Sequence, residues 1–148
     1  AVASLWEAGN LTAMDARVKG VLSRVLPGPY TVILESTGRL PYLTHLGRIG
    51  VRIPDHSLTL KLCREFPITC TSANLSGRPG PRRVSEVTVP ADMVIDAGCT
   101  SLGIPSTVID LTHDRPRILR KGSGDLALLT RAIVESGLPF PEIKEDCR

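Results

Sequence analysis

The sequence of 148 residues is poor in aromatic side chains, which amount to 3% as two Phe, two Tyr and one Trp. Surfaces that bind single-stranded nucleic acid stack bases on aromatic side chains, so this composition argues against such a surface. The formal net charge of +3 is too small to require a nucleic-acid partner. No apolar run reaches membrane-spanning length and no signal peptide is visible, so we expect a cytoplasmic protein with no membrane partner.

The sequence also lacks the spacing typical of metal sites and disulfide frameworks. No two cysteines form a Cys-x-x-Cys pair, and the histidines are equally isolated. These residues are Cys63, Cys70, Cys99, Cys147, His45, His56 and His113. We therefore predict reduced thiols and no metal-binding residues. The hydrophobic fraction of 42% and charged fraction of 22% are typical of a globular protein, and the length predicts one domain.

Helical and strand patterns alternate irregularly along the chain. The patterns predict helices over 1–8, 15–26, 57–65 and 125–136, strands over 30–34, 49–53, 67–70, 93–95, 107–111 and 117–119, and a hairpin turn over 112–116. In the first helix, Leu5 and Trp6 are expected to point inward. The tail over 138–148 is expected to be frayed. This order predicts an α+β (mixed α/β) protein with a twisted mixed sheet and flanking helices.

The most informative stretch runs from Thr69 to Pro81 and reads Thr-Cys-Thr-Ser-Ala-Asn-Leu-Ser-Gly-Arg-Pro-Gly-Pro. It follows a short apolar segment and is rich in hydroxyl and amide side chains. One interpretation is a loop that caps its own backbone through Ser72, Asn74 and Ser76. The other is a ligand-binding loop at the end of a strand. The residues alone favour the first interpretation.

The letters of this stretch resemble the signature of the YrdC-like domain family, the threonylcarbamoyl-adenylate synthases. Three further stretches fit that family in the same order: 26–34, 50–56, and 105–112 with 118–122 after it. The resemblance implies a YrdC/RibB-like sheet. The family's domain normally begins with Pro-Thr-Glu or Pro-Thr-Asp and a Lys-x-Arg stretch, and neither pattern occurs here. We therefore expect a single, partial domain over 1–148, with its N-terminal strands missing and another segment before Ala1.

The resemblance also implies a role for individual residues. Arg52 follows Val51 on a predicted apolar strand, where an arginine needs an anionic partner such as Asp55 or Asp96, or else a bound carboxylate or phosphate. Residues implied to bind threonine are Arg52, Cys70 through its backbone, and Ser106. Residues implied to bind ATP are Ser72, Asn74, Gly80, where the family often has serine, and Arg120. Without the resemblance, Ser106 reads as a strand start and Arg120 as an edge-strand charge.

The implied reaction makes L-threonylcarbamoyl-AMP from L-threonine, bicarbonate or CO2, and ATP. Magnesium is expected to accompany the triphosphate. A downstream threonylcarbamoyl-transferase complex would pass the group to an adenosine of tRNA. Because the Lys-x-Arg stretch is missing, we expect the 148-residue chain alone to be poorly soluble or loosely packed and to show little turnover of ATP.

Three alternatives stay open at this point. The first is a module that binds tRNA or double-stranded RNA through one basic face. The cations of that face would be Arg78, Arg82, Arg83, Arg115, Arg117, Arg120 and Lys121. The second is a YciO-type paralogue, or the same module inside a carbamoyl-transfer maturation factor; Asp110-Leu111-Thr112 resembles the YciO branch, whereas Ser72-Ala73-Asn74 matches the synthases. The third is a scaffold whose loops only stabilise the fold.

Overall fold

A mixed five-stranded sheet forms the centre of the protein. The structure is a computed structural model and describes residues 1–75, 78–100 and 103–144. The strands are β1 (Tyr30–Glu35), β2 (Arg48–Val51), β3 (Thr107–Asp110), β4 (Arg117–Arg120) and β5 (Glu142–Ile143). Their order is β2-β1-β3-β4-β5. Strand β1 runs antiparallel to β2 and parallel to β3, and β3 and β4 form an antiparallel hairpin. This sheet confirms the predicted mixed α/β class.

Four helices accompany the sheet: α1 (Leu5–Leu11), α2 (Ala16–Val25), α3 (Ser57–Glu65) and α4 (Leu126–Glu135). Helix α2 begins where the Asp15 carboxylate accepts a hydrogen bond from the Val18 amide at 2.8 Å. That hydrogen bond lowers the pKa of Asp15 below its ordinary value. Helix α4 begins at the Asp125 cap and ends before Gly137, whose positive φ of 78° suits glycine. None of the helices in the described ranges has the length and apolar character needed to cross a membrane.

The core lies between α2, α4 and one face of the sheet. Side chains alternate along β1, so that Tyr30, Val32 and Leu34 are buried while Thr31 and Ile33 are only partly covered. The buried set packs in one cluster with α2 and α4 residues, including Leu22 and Leu129. The alternation leaves the Thr31 face of the sheet open to the cleft described below.

Two of the predicted strands do not form in the described chain. Residues 67–70 belong to no strand ladder; the Ile68 amide instead donates to the Ala1 carbonyl, and the Ile68 carbonyl accepts from the Ala1 ammonium group. Residues 93–95 have the apolar composition of a strand, yet their side chains are 53–79% exposed. The prediction was wrong there because no neighbouring strand in the described residues pairs with that backbone.

Both ends of the chain also differ from the prediction. Trp6 is 76% exposed rather than inward, because the first helix runs over Leu5–Leu11 instead of 1–8 and buries Ala8. The tail is not frayed from 138 onward. Pro141 is buried, the Glu142 amide donates to Pro116 at 2.8 Å, and Lys144 donates to Ile118 at 3.0 Å. This pairing forms β5, while residues 145–148 lie outside the described part.

Candidate functional site

A cleft of about 570 Å³ opens on the sheet face that α2 and α4 leave uncovered. Its floor includes Thr31 and Val108, which lie opposite each other on β1 and β3, and one wall is the segment 67–72. Strand alternation creates this floor, since the neighbours of these residues along each strand point into the core. The cleft brings together five of the seven residues singled out from the sequence. These five are Arg52, Cys70, Ser72, Ser106 and Arg120.

Arg52 directly follows β2 and reaches the cleft with an unsatisfied side chain. Its Nε is buried and has no hydrogen-bond partner. Among the described residues, neither Asp55 nor Asp96 forms an ion pair with it. A buried donor without a partner costs about 1–3 kcal/mol, so such a group normally meets a ligand or water. The structure therefore favours the ligand interpretation of Arg52 over structural pairing.

Arg120 is exposed, but its guanidinium reaches across the β3–β4 hairpin to Ser106 and is therefore more than a solvated edge-strand charge. Its Nε and Nη2 donate to the Ser106 carbonyl at 3.0 and 2.9 Å, and Nη2 donates to Ser106 Oγ at 3.2 Å. On the other side, Ser106 Oγ lies 2.8 Å from Thr31 Oγ1. Arginine and two hydroxyls thus form one chain of hydrogen bonds along the cleft.

Thr31 was not singled out from the sequence. A threonine at an alternate position of an apolar strand carries no motif, and its partner Ser106 lies 75 positions away. Only the parallel pairing of β1 with β3, which sets Tyr30 opposite Thr107 and Thr31 opposite Val108, places the two hydroxyls together. The family resemblance implied a role for Ser106, and the only signal for Thr31 is its contact with that serine.

The thiols differ sharply in their surroundings. Cys70 is exposed and lines the cleft, and Cys99 is exposed elsewhere. Cys63 on α3 is 1% exposed, and burial raises the pKa of its thiol. Cys147 lies outside the described residues. The cleft therefore presents one accessible thiol, beside Ser72 on the same wall.

Asn74 and Gly80, the other two predicted nucleotide contacts, do not line the cleft. The Asn74 amide donates to the carbonyls of Leu75 and Arg78 at 3.1 and 2.7 Å, which is the self-capping loop considered from the sequence. A side chain built at Gly80 would meet nothing within 4 Å. Their role in nucleotide binding stays a prediction, as do the roles of the five cleft residues.

The cations considered as an RNA-binding face are largely engaged within the protein. Arg82 donates to the Thr100 carbonyl, Arg115 donates to the Phe140 carbonyl, and Arg117 pairs with Glu142 at 3.5 Å. Arg120 holds Ser106 as described above. Hydrogen bonds to carbonyl oxygens leave the charge of a guanidinium in place, so RNA binding through one basic face stays a prediction.

Histidine, cysteine and carboxylate side chains do not cluster in the described ranges: no group of three or more is placed to hold a metal ion. One buried carboxylate, that of Asp110, accepts hydrogen bonds from the Thr112 amide and hydroxyl at 2.9 and 2.7 Å. It also lies 3.5 Å from His113 and 3.8 Å from Arg48. These contacts fix the turn of the β3–β4 hairpin.

Comparisons with known proteins give consistent results. The Sua5/YciO/YrdC family model, described as "Telomere recombination", matches residues 1–122. Threonylcarbamoyl-AMP synthase of Pyrococcus abyssi is 38% identical over 120 residues, covering 76% of this chain and 35% of the relative. A putative threonylcarbamoyl-AMP synthase of Methanocaldococcus jannaschii is 36% identical over 117 residues, covering 76% of this chain and 56% of the relative. The chain thus spans between about a third and just over half of these relatives.

Structural comparison finds solved structures of Sua5 and YciO, which are names of the same family. Sua5 of P. abyssi complexed with L-threonine superposes with a TM-score of 0.84 at 31% identity, over 97% of this chain and 43% of that one. YciO of E. coli superposes with a TM-score of 0.71 at 27% identity, over 85% of this chain and 66% of that one.

Proposed function

The chain belongs to the Sua5/YciO/YrdC family, and from this premise we propose that it carries the threonine site and part of the ATP site of an L-threonylcarbamoyl-AMP synthase. The observation that carries the proposal is the unpartnered Nε of Arg52, which is buried beside a cleft that also contains Ser106 and Cys70. The similarity to a Sua5 structure that holds L-threonine supports the same reading.

In this proposal, Arg52 binds the threonine carboxylate. A planar guanidinium matches the two oxygens of a carboxylate and stays charged at any physiological pH. The Ser106 hydroxyl and the Cys70 backbone add polar contacts. The apolar side chain of Val108 on the cleft floor suits the methyl group of the substrate.

Ser72 and Arg120 face the same cleft and are proposed to contact ATP. The Nε and Nη2 atoms of Arg120 are used on Ser106, whereas its Nη1 makes no hydrogen bond to the described part of the chain. That free end of the guanidinium is available for a phosphate oxygen. Asn74 and Gly80, outside the cleft, are proposed to approach the nucleotide from the adjoining loop.

The proposed reaction has two steps. The threonine amine adds to CO2, supplied as such or from bicarbonate, which forms an N–C bond and releases a proton. An oxygen of the resulting carbamate attacks the α-phosphorus of ATP, and the bond to pyrophosphate breaks. Residues of the cleft hold the reactants in line and balance their charge. Because the described residues offer no carboxylate cluster, we propose that Mg²⁺ enters with the triphosphate.

The partners of the whole protein are also proposals. The product, L-threonylcarbamoyl-AMP, is a mixed anhydride that a threonylcarbamoyl-transferase complex would consume when it modifies tRNA. Binding of RNA by this chain itself stays the alternative, since bonds to carbonyl oxygens leave the charges of Arg82 and Arg115 in place.

Pyrophosphate release from ATP that depends on threonine and bicarbonate tests the proposed reaction. We expect little release by this chain, because it contains no Lys-x-Arg stretch. The same chain preceded by a segment that carries the Lys-x-Arg stretch should release pyrophosphate. Release without threonine, or none in the extended form, would contradict the synthase assignment and leave the YciO-type alternative.

A further inference from the structure

The hydrogen-bond chain in the cleft has a direction. Arg120 Nη2 can only donate, so it occupies a lone pair of Ser106 Oγ at 3.2 Å. The two hydroxyls of Ser106 and Thr31 share one further hydrogen bond of 2.8 Å. That bond uses one of their two protons, and the other proton remains available to the cleft.

The charge of Arg120 polarises the Ser106 hydroxyl and so determines whether Ser106 or Thr31 donates the hydrogen bond between them. A hydroxyl that accepts from a cation becomes a better donor, so Ser106 donates to Thr31 and Thr31 is left to donate onward. Burial points the same way. Ser106 is only 7% exposed, whereas Thr31 is more open and lies on the cleft floor. The last proton of the chain therefore belongs to Thr31.

We propose that Thr31 is a further substrate-binding residue, whose hydroxyl donates to an oxygen of the amino acid held by Arg52. This inference rests on the proposed function and adds to it a contact supplied by β1. Arg52 and Thr31 line the same cleft, and two donors there suit a carboxylate better than one. Arg120 and Ser106 then act on the substrate partly through Thr31.

The test compares Thr31→Val, which removes the hydroxyl at nearly constant volume, with Thr31→Ser, which keeps it. L-threonine affinity is measured by calorimetry on each folded variant. We expect Thr31→Val to weaken binding about 10-fold or more, the loss typical of a hydrogen bond to a charged group, and Thr31→Ser to stay close to wild type. Thr31→Ala provides a second hydroxyl-free variant in case valine disturbs the strand. Thr37→Val is the matched control, because the Thr37 hydroxyl bonds the Asn10 carbonyl outside the cleft.

A double-mutant cycle with Ser106→Ala separates a substrate contact from a positioning role. If Thr31 contacts the substrate itself, Thr31→Val should still weaken L-threonine binding in the Ser106→Ala background. No further loss there would show that Thr31 acts only through Ser106 and would overturn the assignment. Unchanged affinity in Thr31→Val, or equal losses in the valine and serine variants, would overturn this assignment alone. Failure of the wild-type chain to bind L-threonine would overturn the proposed function and this contact with it.

Discussion

Replacement of Arg52 by lysine separates ligand binding from stability more cleanly than any other change in the cleft. Lysine keeps the positive charge but loses the Nε donor and the planar fork. Binding of L-threonine should weaken by about 1–3 kcal/mol, which is roughly a 5- to 150-fold rise in Kd. The lower end applies if the ammonium still reaches one carboxylate oxygen.

The Arg52→Lys change should not destabilise the protein as loss of an ordinary paired, buried arginine would. Truncation of one partner of a buried ion pair usually costs about 3–5 kcal/mol, because a charge is left behind. Arg52 has no partner in the described chain and its buried Nε is unsatisfied. The free energy of unfolding should therefore change by less than about 0.5 kcal/mol or rise slightly.

The assay pairs calorimetry of L-threonine binding with urea unfolding on the same preparations. Arg24→Lys is the matched control, because Arg24 pairs with Glu135 at 3.5 Å on the helical side of the protein. That variant should bind threonine as wild type does. Unchanged threonine affinity in Arg52→Lys would remove Arg52 from the site, and a large loss of stability would show that it has a structural partner after all.

Three further predictions concern Gly122, the cysteine thiols and the cap of α2. Gly122→Ala should destabilise the protein by about 1–3 kcal/mol in urea unfolding, because the new Cβ collides with the backbone at Ser106, whereas Gly80→Ala should be neutral. A disulfide reagent should label the exposed Cys70 at once. It should label Cys63 only on unfolding, because that thiol is buried and burial raises its pKa. L-threonine should slow the labelling of Cys70. Asp15→Ala should cost about 0.5–2 kcal/mol at neutral pH. Because the pKa of Asp15 is lowered in the folded protein, this stabilisation is complete above the unfolded pKa of about 3.9 and is lost as pH falls through the folded pKa. The same pH dependence of stability in wild type and Asp15→Ala would contradict this prediction.

Local patterns predicted three of the four described helices to within a residue, because caps and periodicity act over a few residues, whereas α1 was predicted over 1–8 and forms over Leu5–Leu11. Helix α3 occupies 57–65 as predicted, and α2 and α4 differ by a residue at each end. Strands were harder because a strand needs a partner. The apolar residues 93–95 have the composition of a strand, but no ladder forms at them in the described chain. The pairing of 142–143 with β4 was missed for the converse reason, since a polar tail carries no pattern.

The site shows the same division between local and long-range information. Arg52, Cys70, Ser72, Ser106 and Arg120 were found through motifs, and the structure places all five at one cleft. What the motifs could not convey is how these residues contact each other. The bonds from Arg120 to Ser106 depend on the β3–β4 hairpin and its register shift at Val108.

Titration of the 148-residue chain with L-threonine, followed residue by residue through the backbone amide NMR signals, tests the central claim most directly. Our account predicts saturable shifts that include Arg52, Cys70 and Ser106, with little change at Trp6, whose groove lies between α1 and α2. L-valine, which replaces the hydroxyl by a methyl group, should bind more weakly. A spectrum that stays unchanged at saturating threonine, or shifts confined to residues outside the cleft, would contradict the account.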